Sequence, residues 1–403
     1  MTKSDDKRVP TLRFKGFTDE WEQRKLGDVL EKFQKRINPE KENIPLWSLT
    51  VKDGLIPKNA QYNRSFLVKK NDFFNLLPDN YLIYNPMNIT LGAIDINNSG
   101  KEIAVSGYYI ILKIKSNYNE EFVLNNLVSR KSINLYQRFS TGSLTEKQRL
   151  QYPAFSKIKK LFPDFTEQRK IGSLLSALNK QITLQQRKVK QLKLLRRALQ
   201  QQIMPFIYKE NGMHFVKSKQ NWNLISLNKI LKERKKLTSD GNIPLVSLTK
   251  DGVIPKNSRY NREFLVKDKN KKYKLTRIND IVYNPANLKF GVINRNKLGT
   301  AKFSPIYVTL ATNLKFDPAY IELIVTDKDF ISYSLRYEEG TVYERKAVKP
   351  QDLLSIKVNC PDKLIQTRIV NFFELITVKI KDNELKLKSF NNLKHFLLQN
   401  MFI

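Results

Sequence analysis

Two long stretches of the chain repeat apolar residues in steps of three and four. In the first stretch these residues are Leu175, Leu178, Ile182, Val189, Leu192, Leu199 and Ile203, and Gln185 and Arg196 hold the two remaining steps. Such spacing places side chains along one stripe of an α-helix. Because neither Gly nor Pro interrupts residues 173–204, we expect a helix over about 167–204, roughly 57 Å long.

The last forty or so residues carry the same pattern. Its apolar positions are Phe373, Ile376, Ile380, Leu387, Phe390, Leu397 and Met401, interrupted at the matching places by Asn383 and Lys394. Two such stripes most simply pack on each other, although each helix could instead pack on its own globular domain. An antiparallel pair would enclose Gln185 and Asn383 as polar register markers.

The rest of the chain alternates short β-branched and aromatic runs with Gly, Pro and Asn turns, as expected for mixed α/β domains. We therefore predict an α+β fold with two pseudo-twofold-related mixed α/β domains, separated by two long helices packed as an antiparallel coiled coil. The predicted boundaries are 1–163 and 209–361 for the globular domains, and 164–208 and 362–403 for the helical segments.

An internal repeat underlies this organisation. Residues 44–69 return as residues 243–267, with 20 of 25 paired positions identical once Val51 is skipped. The register continues to the Pro-Asp pairs at 163–164 and 361–362, each of which precedes a long helix. The chain is a tandem duplication with a period of about 200 residues.

The charge of the chain favours a polyanionic partner. Lys and Arg number 72 against 38 Asp and Glu, a formal net charge of +34. An anionic membrane surface finds little support, since no apolar stretch approaches the roughly 20 residues of a spanning helix. The start carries no apolar signal-peptide core, so we expect a cytoplasmic protein. The single cysteine, Cys360, and two histidines, His214 and His395, are too few for a Cys/His zinc site.

Signatures of catalysis are missing. No two glycines stand two residues apart, so both GxGxxG and GxxxxGK phosphate loops are absent. The segments Asn85-Pro86-Met87-Asn88 and Asn284-Pro285-Ala286-Asn287 lack the second proline and the aromatic residue of the amino-methyltransferase loop, and we interpret them as turns at strand ends. Asp164 is better explained as the N-cap of a helix than as a nuclease ligand, and Glu167 as a first-turn residue that satisfies free N–H groups of that helix.

Candidate DNA-binding residues concentrate in the repeated segment, with others in the Asn-Pro turns. Lys and Arg can neutralise phosphates, Asn and Arg can contact base edges, and Tyr can stack or donate to phosphate. The alternative is a solvated turn whose shared sequence reflects shared folding alone. The candidates are Lys58, Asn59, Tyr62, Asn63, Arg64, Asn88 and Thr90 in the first half, and Lys256, Asn257, Tyr260, Asn261, Arg262, Asn287 and Lys289 in the second.

Differences between the halves suggest where sequence choice could reside. Shared residues suit scaffold or backbone contacts, whereas divergent ones are free to read different bases. Besides Thr90 against Lys289, the divergent stretches are 95–103 against 294–302 and 138–149 against 336–347.

The chain resembles the specificity (S) subunit of type I restriction-modification systems over essentially its whole length. The resemblance rests on the duplication, on residues 12–17 (LRFKGF) with Glu20-Trp21-Glu22, and on the PDFTEQRKI segment at 163–171. The second helix departs from this pattern, because it keeps Gln366 but has Ile365 in place of the glutamate. The two helical regions need not bind the partner subunit equally.

The resemblance implies a non-catalytic DNA-specificity role. Each globular part would be a target recognition domain that reads one half of a bipartite, gapped site in the major groove, and the helices would fix the gap. Two methyltransferase subunits, using S-adenosylmethionine to methylate adenine N6, would dock on the chain, and two ATP-driven translocase/endonuclease subunits would complete the complex. S-adenosylmethionine, ATP and Mg would be held by those subunits, and this chain would hold no cofactor or metal.

Two further hypotheses follow. The similarity of residues 44–69 and 243–267 suggests that the two half-sites resemble each other more than in a typical member. The competing interpretation is a stand-alone duplicated DNA-binding or architectural protein that works without enzyme partners.

Overall fold

Two halves of matching secondary structure make up the chain, each ending in a long helix. The computed structural model describes residues 8–58, 74–142, 148–203, 222–256, 272–340 and 346–403. The strands of the first half are β1 Glu22–Lys25, β2 Leu30–Phe33, β3 Arg36–Ile37, β4 Trp47–Thr50, β5 Gly54–Pro57, β6 Phe74–Leu77, β7 Leu82–Tyr84, β8 Ile94–Ile96, β9 Ile103–Ser106, β10 Ile110–Ile114 and β11 Lys159–Phe162. Its helices are α1 Leu26–Val29, α2 Glu120–Leu127, α3 Arg130–Phe139, α4 Tyr152–Phe155 and α5 Phe165–Ile203.

The second half repeats this order and adds one pair of short strands before its last short helix. Its strands are β12 Asn223–Ser226, β13 Leu231–Glu233, β14 Leu237–Thr238, β15 Val246–Thr249, β16 Gly252–Pro255, β17 Tyr273–Thr276, β18 Ile281–Tyr283, β19 Ile293–Arg295, β20 Ala301–Phe303, β21 Val308–Thr312, β22 Glu338–Glu339, β23 Ala347–Val348 and β24 Lys357–Cys360. Its helices are α6 Leu227–Ile230, α7 Pro318–Val325, α8 Lys328–Ser334, α9 Pro350–Ser355 and α10 Lys363–Asn400.

Each globular domain is built on a four-stranded antiparallel sheet, ordered β2-β10-β7-β8 in the first half and β13-β21-β18-β19 in the second. Both faces of this sheet are covered. In β7, Leu82 and Tyr84 join the core on the side of the helices, whereas Ile83 joins a smaller core formed with β4, β9 and β10. In the second half, Ile281 and Tyr283 likewise join the larger core, whereas Val282 joins a smaller core on the other face of the sheet. The alternation follows from the two-residue period of a strand.

Smaller sheets complete each domain. Strands β3-β6-β9 and β14-β17-β20 form three-stranded antiparallel sheets, and β4-β5 and β15-β16 form hairpins. Strands β1 and β11, like β12 and β24, pair as a two-stranded ribbon that joins the start of a domain to the segment before its long helix.

The long helices run without interruption for 39 residues in α5 and 38 in α10. The seam residues Leu175, Leu178, Ile182, Val189, Phe373, Ile380, Asn383 and Leu397 are buried, and Gln185, Leu192, Leu199, Ile376, Leu387 and Phe390 are half-buried. Leucines outside the stripe, such as Leu184 and Leu194, are exposed. The helices are amphipathic in the register that the spacing predicts.

The chain forms two compact units. The first consists of Met1–Arg187 together with Glu384–Ile403, and the second consists of Lys188–Asn383. Within the first unit, Leu178 and Ile182 near the start of α5 share a core with Leu397 near the end of α10. Within the second, Leu199 near the end of α5 packs against the core that contains Phe373 near the start of α10. In each unit the start of one long helix therefore lies in the same core as the end of the other, which confirms the predicted antiparallel pairing.

A buried glutamine fastens the start of each long helix to the globular domain of the same half. Gln168 accepts a hydrogen bond from the backbone N of Asn119 at 3.0 Å, and Gln366 accepts one from the backbone N of Asp317 at 2.8 Å. Each side-chain amide also donates to the carbonyl of the proline five residues earlier, at 2.9 and 2.8 Å. Asn119 and Asp317 are the N-caps of α2 and α7, so the glutamine joins two helix starts.

The first turn of α5 differs in part from the sequence interpretation. Asp164 is the N-cap, as predicted, because its Oδ1 accepts hydrogen bonds from the backbone N of Thr166 at 2.7 Å and of Glu167 at 3.2 Å. The Glu167 carboxylate does not bind free N–H groups of the helix. It is fully buried and accepts both guanidinium bonds of Arg13, each at 2.7 Å. A buried carboxylate needs a paired charge, and Arg13 supplies it.

The glutamine contact yields a stability prediction. Gln168→Ala and Gln366→Ala should each lower the free energy of unfolding by about 1–3 kcal/mol, because each change leaves buried backbone groups without partners. Denaturant unfolding followed by circular dichroism measures the loss. Gln186, which is exposed on α5, provides the control, and Gln186→Ala should leave the midpoint unchanged. Equal midpoints for all three variants would contradict the anchoring role.

Candidate nucleic-acid interface

An Asn-Pro turn follows the central strand of each domain. After β7 the chain forms a 3₁₀ turn at Ile89–Leu91, and after β18 one at Pro285–Phe290. Each turn ends at a left-handed glycine, Gly92 with φ 96° and Gly291 with φ 75°, a conformation that glycine adopts without steric cost. The side chains of the asparagines before the prolines accept hydrogen bonds from the backbone two residues on, at 3.0 and 3.1 Å. These amides stabilise the turn, as the sequence interpretation of the segments requires.

The tips of these turns expose apolar side chains that the sequence analysis did not select. Leu91 in the first half and Phe290 in the second are each 64% exposed, and Met87 is also exposed. The Lys289 ammonium lies 5.3 Å from the centre of the Phe290 ring, in a cation–π contact. The position before the left-handed glycine is the sequence signal that could have identified both tips.

A second loop meets each turn. The backbone N of Leu150 donates to the carbonyl of Pro86 at 2.9 Å, and Thr141 and Arg149 pair across the base of this loop. In the second half, β22 and β23 form the base, and the Tyr283 hydroxyl donates to the carbonyl of Val348 at 3.1 Å. The divergent stretches 138–149 and 336–347 therefore begin and end beside the Asn-Pro turns.

Some predicted DNA-binding residues lie in the described parts of the chain. Lys58 and Lys256 are exposed just after β5 and β16, where their backbone N atoms donate to the carbonyls of Leu46 at 2.9 Å and Leu245 at 3.1 Å. Lys289 is exposed at its turn, Asn88 and Asn287 are half-buried, and Thr90 is 8% exposed. Asn59, Tyr62, Asn63, Arg64, Asn257, Tyr260, Asn261 and Arg262 lie outside the described residues.

The hairpins that carry the two lysines are held against the central sheet by non-identical side chains. Asp95 accepts a hydrogen bond from the backbone N of Leu55 on Oδ2, at 2.8 Å, and one from the backbone N of Ile96 on Oδ1, at 2.9 Å. Burial raises the pKa of Asp95, and these two bonds oppose the rise. The matching Asn294 donates its amide to the carbonyl of Lys250 at 3.3 Å. Although these two residues differ between the halves, both serve to fix a hairpin to the central sheet.

One asparagine in each of the stretches 95–103 and 294–302 stabilises its own loop, which reduces the number of residues there that could contact DNA. Asn97 donates its amide to the carbonyls of Leu77, Pro78 and Lys101 at 2.8–3.1 Å, and it is almost fully buried. In the second half, Asn296 donates its amide to the hydroxyl of Thr276 and to the carbonyls of Arg277 and Gly299, at 2.7–3.2 Å. Both residues close the loop on themselves, so the stretches 95–103 and 294–302 leave only their exposed outer residues for contact with a ligand.

Among the described residues, no group of three or more His, Cys, Asp and Glu side chains is placed to hold a metal ion. Over the same residues, none of the helices combines the length and the apolar character that crossing a membrane requires. Cys360 is buried, and burial raises the pKa of its thiol to about 12.

Solved structures share this architecture over nearly the full chain. The S subunit of a type I restriction-modification system from M. genitalium superimposes with a TM-score of 0.61 at 12% identity, covering 98% of this chain and 99% of that one. A structure solved to explain complex assembly and conformational transition of the type I R-M system gives a TM-score of 0.51 at 14% identity, with coverage of 95% and 97%. No protein-family model and no curated protein matches the sequence.

The chain has the fold of type I restriction-modification S subunits. The resemblance drawn from the LRFKGF and PDFTEQRKI segments is thereby confirmed at the level of the fold. In this chain the Asn-Pro turn and the lysine-bearing hairpin each occur once in each globular domain.

The hairpin contact of the first domain yields a test with a double variant. A Cβ on Gly54 would clash with Oδ2 of Asp95. Gly54→Ala should therefore cost about 1–3 kcal/mol more unfolding free energy in the wild type than in an Asp95→Ala background, because only in the wild type does it break the Asp95 hydrogen bond in addition to straining the backbone. Thermal unfolding of the single and double variants measures the difference, and equal losses in the two backgrounds would show that Asp95 does not fix the hairpin.

Proposed function

We propose that the chain is the DNA-specificity subunit of a type I restriction-modification complex. In this role it recognises a bipartite, gapped DNA site, with one half-site read by each globular domain, and it carries out no catalysis itself. The observation that carries the proposal is the pair of matching domains joined by antiparallel helices, an architecture shared with S subunits over 98% of the chain. A duplicated domain suits a target that is itself divided into two halves.

Charge and exposure support DNA as the ligand. A net charge of +34 favours binding to a phosphate backbone. The two hairpins each end in an exposed lysine, Lys58 and Lys256, at the entrance to the repeated YNR segments. In this proposal those lysines contact phosphates, while Lys289 and the turn tips lie where base edges can be reached.

Partner subunits would dock on the outer faces of the long helices. Each helix exposes apolar side chains away from its seam, which is unusual for a solvent-facing surface. On α5 these are Leu184, Leu194 and Leu195, and on α10 they are Phe372, Leu375, Val378, Leu385, Leu393 and Phe396. We propose that two N6-adenine methyltransferase subunits bind there and that two translocase/endonuclease subunits complete the complex.

The remaining assignments follow from this role. We propose target recognition domains at 1–163 and 209–361, and conserved helical regions at 164–208 and 362–403. S-adenosylmethionine, ATP and Mg would belong to the partner subunits. Since such a complex acts on the DNA of its own cell and on entering DNA, we propose that the protein works in the cytoplasm.

Methylation mapping tests the function directly. The chain is expressed with its adjacent methyltransferase in a host free of N6-methyladenine, and modified adenines are mapped across the genome. We expect a bipartite motif with a gap, methylated once in each half and lost when this chain is omitted. The two halves, read on opposite strands, should share bases, because residues 44–69 and 243–267 are so similar.

The opposite results are equally informative. A motif that persists without this chain would refute the specificity role. Tight site-specific binding by the isolated chain, together with failure to co-purify with the methyltransferase, would instead establish a stand-alone DNA-binding protein. Half-sites that share no base would remove the half-site hypothesis alone.

Phosphate contact by the hairpin lysines has its own measurement. Lys58→Ala and Lys256→Ala should each weaken binding of the complex to a DNA duplex carrying the mapped site and reduce the salt slope, d log K/d log[salt], by about one. Fluorescence anisotropy at several salt concentrations gives the slope. Lys113→Ala, at an exposed position of β10, is the control and should keep the wild-type slope. An unchanged slope in the first two variants would assign those lysines to the scaffold.

A further inference from the structure

Three connections converge at one end of the central sheet in each globular domain. Strand β10 begins where β7 ends, because Ile110 pairs with Tyr84, and β21 begins where β18 ends, because Val308 pairs with Tyr283. The Asn-Pro turn and the connection that precedes β10 or β21 therefore lie side by side, since neighbouring strands are about 5 Å apart. Strands β2 and β13 also finish at this end of their sheets. We call this end of each sheet the loop edge.

The connection before β10 carries an exposed bulky side chain of its own, and so does its counterpart before β21. Tyr108 is 84% exposed, and the matching Ile306 is 63% exposed. The match follows from the next residue, because the backbone N of Tyr109 and that of Tyr307 each donate at 3.1 Å to the carbonyl of the serine three residues earlier. The two turns therefore have the same backbone hydrogen bond and present different side chains.

A lysine that both domains share lies at the same edge. Lys35 follows β2 and Lys236 follows β13, and both are exposed. Their positions are equivalent, since their carbonyls accept hydrogen bonds from the backbone N of Leu76 at 2.8 Å and of Leu275 at 3.0 Å. Lysine is depleted from the cores of protein–protein interfaces, whereas protein–DNA interfaces are rich in positive charge. DNA is therefore the ligand that suits an edge with both lysine and exposed apolar side chains.

Each loop edge thus presents two bulky side chains that differ between the domains. These are Leu91 and Tyr108 in the first domain, and Phe290 and Ile306 in the second. Contacts to phosphate carry no sequence information, and an apolar side chain gains little from a phosphate. The apolar feature that the major groove offers is the C5 methyl group of thymine.

On the basis of the DNA-specificity function proposed above, we propose that these four side chains contact thymine methyl groups and determine the base pairs at which the two half-sites differ. The lysines and hairpins that the domains share would position both half-sites alike, and the loop-edge side chains, which do not match, would distinguish them. A half-site that is methylated on adenine contains an A·T pair, so each half-site offers at least one thymine methyl group.

The first experiment exchanges the loop-edge side chains and leaves the charge unchanged. Leu91→Phe combined with Tyr108→Ile gives the first domain the side chains that the same turns carry in the second. The variant chain is expressed with its adjacent methyltransferase, and methylated adenines are mapped. We expect the first half-site to change at base pairs where the wild-type halves differ, while the second half-site stays as in the wild type. An unchanged first half-site, or wild-type half-sites that are identical, would overturn the proposal.

Duplexes that contain deoxyuridine test the contact itself, because uracil lacks only the C5 methyl group of thymine. Each thymine of the mapped site is replaced in turn, and binding by the complex of this chain with its methyltransferase is measured by fluorescence anisotropy. In each half-site, at least one replacement should weaken wild-type binding about threefold or more. Leu91→Ala with Tyr108→Ala should remove this sensitivity in the first half-site, and Phe290→Ala with Ile306→Ala should remove it in the second.

An exposed leucine at the opposite end of the sheet provides the matched control. Leu314 is 88% exposed and follows the far end of β21, so Leu314→Ala should keep the wild-type response to every uracil. Equal responses of the wild type and both loop-edge variants would overturn the thymine contact. A wild-type complex that yields no motif would refute the DNA-specificity function itself, whereas a wild-type motif that the loop-edge changes leave intact would refute the loop-edge assignment alone.

Discussion

The apolar seam between the long helices is the constraint on which the rest of the structure depends. Each helix carries an apolar stripe whose exposure to water is unfavourable. Each unit buries its part of the two stripes by packing the start of one helix against the end of the other. Residues 384–403 therefore complete the core that begins near Trp21. A continuous chain achieves this only by returning its last helix to its first domain, which couples the two halves of the duplication.

Polar positions within the helical pattern have a local explanation. Burial lowers the pKa of Lys394. The nearby carboxylate of Glu121 in the first domain opposes this fall. Arg196, the matching residue of α5, is likewise half-buried, near Glu322, and its guanidinium lies 5.9 Å from the centre of the Phe373 ring. Both cations interrupt the apolar stripe where a domain offers an acidic side chain.

Divergence between the halves has more than one physical meaning. Asp95 and Asn294 differ, yet both hold a hairpin against the central sheet. Glu167 and Ile365 also differ, and Glu167 is held in the first domain by its ion pair with Arg13. Leu91 and Phe290 differ where both are exposed at the loop edge. Comparison of the two repeats therefore identifies positions that are free to vary. The contacts that each residue makes are needed to distinguish scaffold residues from ligand-binding residues.

The sequence by itself determined the duplication, the two amphipathic helices, the Asn-Pro turns and the Asp164 N-cap, because each follows from local periodicity or backbone chemistry. Tertiary structure decided what local pattern cannot encode. The partner of Glu167 is 154 residues away, the Gln168 and Gln366 anchors bind backbone of other helices, and Leu91 and Phe290 are exposed by how their turns pack. Such contacts depend on which distant segments are brought together, and linear spacing carries no record of that choice.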